Sequence, residues 1–198
     1  MLNGAVLAGG LSSRLGMDKA SLSLDVRGKD FLANAVGLLA AFCGKVLVIG
    51  RGDERFDSVP DAFGRCGPLG GIATALATGK GACLVLSCDM PFMRADVIER
   101  LVAARRSRPE GTLATLYRQR DTGHAESLVA VYEQGALPHL ERCLAERRLR
   151  VSTAIPADRM LFLDYGFEDS LPFFNVNYPA DLLLARTVFA LQAGSDEA

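Results

Sequence analysis

Residues 7–19 read LAGGLSSRLGMDK, an apolar run that opens into paired glycines, an arginine, a third glycine and an Asp-Lys pair. Glycines placed directly after a strand permit positive φ angles and let backbone N–H groups come close to a ligand. Such groups suit phosphate oxygens or the edge of a purine. Arg14 adds a planar fork and Lys19 a point charge. Together these residue types make a cradle for a triphosphate; the competing reading is a glycine-rich surface turn with incidental charges. The stretch contains neither G-x-x-x-x-G-K-[ST] nor G-x-G-x-x-G, which excludes a P-loop and a dinucleotide fingerprint there.

A second chemical position is Asp89, which closes the apolar run ACLVLSCD (82–89) ahead of Met90-Pro91. A carboxylate at a strand end is a natural ligand for Mg²⁺, which takes one or two carboxylates plus substrate phosphate oxygens. Asp is equally a favoured cap for a helix beginning near Pro91. A third stretch, GRCGPLGGIATAL (64–76), sets four glycines and a proline before a helix. Its N-terminus can hold an anion or admit a flat ring, though a tight connection needing small residues explains it as well.

The other polar features carry less. His124 and His139 stand far apart with no serine or cysteine motif that would complete a triad. The arginine groups 105/106/108 and 147/148/150 read as solvated helix ends. Cys88, beside Asp89, reads as a small buried apolar residue rather than a nucleophile.

The elements that must position these residues alternate. Short buried strands are expected at 3–8, 45–50 and 82–89, with helices at 30–43 (Asp30 as N-cap), 70–79 and 94–108. Further strands are expected at 112–117, 127–132 and 160–165, a helix at 135–148, and a terminal helix within 173–192 with Pro179 in its first turn. Residues 193–198 read as a frayed end. This is the pattern of an α/β fold, a Rossmann-like three-layer sandwich with a mainly parallel sheet. No domain boundary is legible within 1–198, so one domain is expected. In such sheets ligands bind beyond the carboxyl ends of the strands, which puts the 7–19 loop and Asp89 on one crevice.

Composition narrows the class. With 22 Lys and Arg against 23 Asp and Glu, the chain lacks the basic excess of a nucleic-acid binder. No apolar run reaches the length of a membrane span, and no signal peptide is legible at the N-terminus. The five cysteines are an odd, scattered set without a C-x-x-C pair, which argues against a disulfide framework or a zinc site. The cytoplasm is the expected compartment.

LAGGLSSRLGMDKA, GPLGG, CDMPF and FFNVNYPADL occur in the same order as in the molybdenum cofactor guanylyltransferases, and the chain resembles that family from residue 5 to about 183. The family belongs to the nucleotidyltransferase superfamily, whose cytidylyltransferases more often carry Ala-Ala-Gly in the first motif. The resemblance implies transfer of GMP from MgGTP to the terminal phosphate of the molybdenum-bound pterin, with Mg²⁺ as cofactor. It implies a nucleotide contact at Leu7, Ala8, Gly9 and Gly10, a phosphate-binding role for Lys19 and Arg14, a nucleotide-binding Asp61 and a metal-ligating Asp89. Asn175 and Asn177 fall where the family has asparagines near the active site. Implied partners are GTP, a molybdopterin-type phosphorylated acceptor, and pterin-delivering or apo-molybdoenzyme proteins.

Two departures stand out. The segment VIGRGDERF lacks the asparagine that the family often has after its second strand, and Tyr178 replaces a usual threonine. Alternatives to the leading reading are a cytidylyltransferase, a guanylyltransferase for another phosphorylated acceptor, a non-catalytic nucleotide-binding module, and a pterin carrier.

Overall fold

The structure is a computed structural model that describes residues 2–9, 18–24, 28–64 and 66–195. Arg14 and Gly10 lie outside the described residues, as do 196–198.

Seven strands form one sheet among the described residues: β1 (Asn3–Leu7), β2 (Lys45–Ile49), β3 (Ser58–Val59), β4 (Cys83–Ser87), β5 (Ala114–Gln119), β6 (Ala125–Tyr132) and β7 (Met160–Tyr165). They lie in the order β3-β2-β1-β4-β6-β5-β7. Strand β6 alone runs against its neighbours; every other pairing is parallel. A sheet covered on both faces needs strands apolar on both sides. Ala5, Leu47, Ile49 and Val85 accordingly point into one core, whereas Val6, Val48, Leu84 and Leu86 point into the other.

Helices α2 (Gly67–Gly79) and α4 (Leu137–Ala145) cover the first face, and α1 (Phe31–Ala40) and α3 (Ala95–Arg106) the second. Asp30 caps α1 as its sequence suggests, its carboxylate accepting from Ala33 N at 2.7 Å. Leu32 and Leu39 then bury fully against the sheet, each contributing about 1.5–3 kcal/mol. Helix α2 is buried along Leu69–Leu76 because it lies between the sheet and α4. Its glycines allow the approach: a Cβ on Gly71 would stand 3.1 Å from Leu7 Cδ2. Helix α5 (Pro179–Ser195) packs Leu182 and Ala185 on a third cluster with Leu22, Phe31 and Phe92.

Several boundaries differ from the sequence expectation. Helix α2 starts at Gly67 rather than 70, and α3 at Ala95, four residues after Pro91. Strand β6 begins at Ala125, two residues early, because backbone pairing continues past its apolar run. Helix α5 runs through Ser195, so it is still helical where fraying was expected to start. The arginines at the end of α3 are not merely solvated: Arg105 and Arg108 both pair with the half-buried Glu133, at 2.7 and 3.1 Å. No helix of the described residues is long and apolar enough to cross a membrane.

Candidate active site

Register assembles the site. Leu7, the last residue of β1, pairs with Ile49 of β2 and with Ser87 of β4. The three strands therefore end level, and Ala8-Gly9, Gly50-Arg51 and Cys88-Asp89 emerge side by side. Ala8 N donates to Ile49 O at 3.0 Å, and Cys88 N to Leu7 O at 3.3 Å. Gly9 and Gly50 touch backbone to backbone. Gly50 has φ +92°, and a Cβ there would lie 2.6 Å from Gly9 Cα.

Lys19 follows in a short 3-10 turn capped by Asp18, whose carboxylate accepts from Ala20 N at 3.2 Å. The ammonium of Lys19 reaches Asp89 Oδ2 at 3.2 Å and Asn177 Oδ1 at 2.5 Å. The second oxygen of Asp89 accepts from the Ser87 hydroxyl at 2.5 Å, and its backbone carbonyl from Val176 N at 2.9 Å. Loop, strand end and C-terminal segment thus close on one carboxylate. The capping role for Asp89 fails, since α3 starts at Ala95 and Asp89 gives its oxygens to Lys19 and Ser87.

Asp61 sits beside the start of α2, accepting from Phe63 N at 2.9 Å and the Thr74 hydroxyl at 3.2 Å. Its carboxylate lies against Gly70, where a Cβ would stand 3.0 Å from Asp61 Oδ2. The Asn175 amide donates to Phe173 O at 3.0 Å. Cys88 is inert, because burial pushes its thiol up to about 12.

Four participants escape a linear reading. Ser87 holds Asp89. Arg51 grips Asp18 with bonds of 2.8 and 2.7 Å, so the segment lacking an asparagine braces the Asp-Lys pair from below. Arg150, expected as a solvated helix end, and Glu126 line a cleft of about 610 Å³ that begins at Met90 and Asn175. Only the register of β6 and the path of 150–152 bring these to the same edge.

The residues present suit a substrate-borne Mg²⁺. Among the described residues no group of three or more His, Cys, Asp or Glu gathers as a metal cage. A lone carboxylate plus triphosphate oxygens is a usual Mg²⁺ arrangement.

A profile of the MobA-like NTP transferase domain family matches residues 4–159. The chain belongs to that family. Among its relatives, a "Probable molybdenum cofactor guanylyltransferase" of Pelotomaculum thermopropionicum is 32% identical over 93% of this chain and 92% of its own. A like-named protein of Chloroflexus aggregans is 30% identical over 94% of each. The solved structure of molybdopterin-guanine dinucleotide biosynthesis protein A from Archaeoglobus fulgidus superposes with a TM-score of 0.74 at 23% identity, covering 95% of this chain and 98% of that one. A 4-diphosphocytidyl-2C-methyl-D-erythritol synthase of Anaerococcus prevotii shares the fold at a TM-score of 0.64 and 10% identity. The MobA-like chain is thereby a nucleotidyltransferase of the molybdenum cofactor guanylyltransferase group.

Proposed function

We propose that the protein transfers GMP from MgGTP to the terminal phosphate of molybdenum-bound molybdopterin, forming the guanine dinucleotide cofactor and releasing pyrophosphate. The observation that carries this reading is the closure of Lys19, Asn177 and Ser87 on Asp89, level with the Leu7–Gly9 loop. Two full-length relatives carry the guanylyltransferase name, which favours GTP as donor and molybdopterin as acceptor.

The chemistry requires little covalent help. An acceptor phosphate oxygen, already ionised at neutral pH, attacks the α-phosphorus of GTP; the new P–O bond forms as the bond to the β-phosphate bridging oxygen breaks. No general base is needed. The obstacle is repulsion between an anionic nucleophile and an anionic triphosphate, so positioning and electrostatics dominate. Lys19 supplies fixed positive charge, Asn177 orients its ammonium, and the Leu7–Gly9 backbone, anchored where Ala8 N donates to Ile49 O, lies along the nucleotide. Asp89 would hold Mg²⁺, which neutralises phosphate charge and eases departure of pyrophosphate. Asp61 stiffens the α2 entry beside the nucleotide.

Calorimetry with GTP, CTP and ATP in Mg²⁺, on the wild type and Asp89→Ala, tests this. GTP-selective binding that loses its Mg²⁺ dependence in the variant is expected. A preference for CTP moves the protein to the cytidylyl branch, and absence of any nucleotide binding overturns the reading.

A further inference from the structure

Asp89 divides the carboxyl edge of the sheet. The β1–β2 side holds Leu7–Gly9, Gly50 and Asp61; the β6–β5 side opens into the cleft of about 610 Å³. The cleft starts at residues adjoining the centre, Met90 beside Asp89 and Asn175 two positions before Asn177. Its lining includes Arg118, His124, Arg150 and Phe162. Arg118 is fixed, paired with Asp164 at 2.7 Å and laid over the Phe162 ring at 4.5 Å. Arg150 lines the same cleft, whereas nearby Arg148 is taken by Glu146 at 2.6 Å.

The lining also holds Glu126, the one charged side chain among the buried residues described, 7% exposed. Oε1 accepts from the Tyr165 hydroxyl at 2.6 Å. His124 Nε2 stands 4.0 Å away, beyond hydrogen-bond range. One hydroxyl is thin support for a carboxylate that has lost most of its water. Burial accordingly raises its pKa. Tyr165 in turn is locked by stacking on Phe173 at 4.3 Å and edge-on against Tyr117 at 6.2 Å. A carboxylate held rigidly through one oxygen on a cleft lining has its second oxygen placed for a ligand.

We propose that this cleft is the acceptor's ring subsite and that Glu126, positioned by Tyr165, reads a 2-amino-4-oxo-pyrimidine edge, while Arg150 meets the acceptor's anionic portion. The proposal rests on the guanylyltransferase reading above. A planar carboxylate matches two parallel N–H donors, here a ring N–H and the adjacent exocyclic amine. A 2,4-dioxo edge would set a carbonyl oxygen against the same carboxylate. Guanine carries the donor edge too, but the nucleotide is assigned to the β1–β2 side of Asp89, so the cleft takes the ring of the acceptor.

The decisive probes are pterin and lumazine, which differ by an amino against an oxo group at position 2. They are titrated by fluorescence onto the wild type, Glu126→Gln and Tyr165→Phe, with and without saturating MgGTP. The wild type should prefer pterin by about tenfold or more, the discrimination typical of a bidentate pair. Glu126→Gln should abolish that preference while keeping GTP affinity, and Tyr165→Phe should reduce it. Pterin should remain bound when GTP is added. Equal affinity for the two rings, no pterin binding at millimolar concentration, or a preference surviving in Glu126→Gln overturns the proposal; the first two need no variant to fold. Displacement of pterin by GTP overturns it as well and gives the edge to guanine. Failure of GTP to bind while the pterin preference stands would instead sink the guanylyltransferase reading and leave the subsite.

Discussion

The ammonium of Lys19 lies 3.2 Å from Asp89 Oδ2, although the two are 70 positions apart in the chain, and both side chains are mostly shielded. Neither charge is stranded, because Asn177 completes the lysine and Ser87 the aspartate. The pair stores a cation and an anion at the spot proposed above for a metal-bearing triphosphate. Lys19→Ala and Asp89→Ala should each lower kcat by at least about a hundredfold, the loss typical of one removed electrostatic group. Steady-state guanylyl transfer checks this, with circular dichroism verifying the fold. Near-normal turnover in either variant refutes their assignment.

Asn177 offers a finer test. Asn177→Ala removes a hydrogen bond to a charged group, a contribution of about 1.5–3 kcal/mol, and should cut kcat/KM about tenfold or more. Asn177→Asp places a second carboxylate beside Asp89, so GTP affinity should fall further than in the alanine variant. Calorimetric dissociation constants in the reverse order contradict the role.

Gly50→Ala addresses the backbone contact between the β1 and β2 exits. A side chain at φ +92° and 2.6 Å from Gly9 Cα strains both strand exits. Such strain costs on the order of 1–3 kcal/mol. The melting temperature should drop by roughly 2–4 °C for each kcal/mol in a chain of this length. An unchanged melting temperature would show that the two loops separate freely.

Glu126 predicts a pH signature. Burial raises its pKa, with the Tyr165 hydroxyl and His124 pulling the other way. A folded value above the unfolded value of about 4.3 means that the folded chain binds more protons between the two. Its stabilising contribution is complete below the unfolded value and is lost as pH rises through the folded one. The melting temperature of Glu126→Gln minus that of the wild type should therefore grow from about pH 4 toward neutrality. A difference that stays flat with pH argues against a buried carboxylate.

Much of this architecture is legible in the residues. Near-continuous apolar runs such as CLVLS mark central parallel strands, and Asp30 marks the start of α1 because capping is a local interaction. Lys19 and Asp89 are legible as charged residues at strand exits, where solvated chain would otherwise suffice. What stays hidden is set by register. Glu126 breaks an apolar pattern without announcing why, and only the pairing of β5 with β7 brings Tyr165 to it. Arg51 and Asp18 are 33 positions apart and meet because β1 and β2 end level. The two-residue β3 is too short to show any period.

Strand β6, reversed among parallel neighbours, has a consequence for how such an enzyme diversifies. Its amino end, Ala125–Leu128, enters the edge where the other strands leave it. The body of β6 is locked to β4, but its turn at Asp121–His124 lies outside that pairing. A change confined to the turn leaves the pairing of Leu7 with Ile49 and Ser87 untouched.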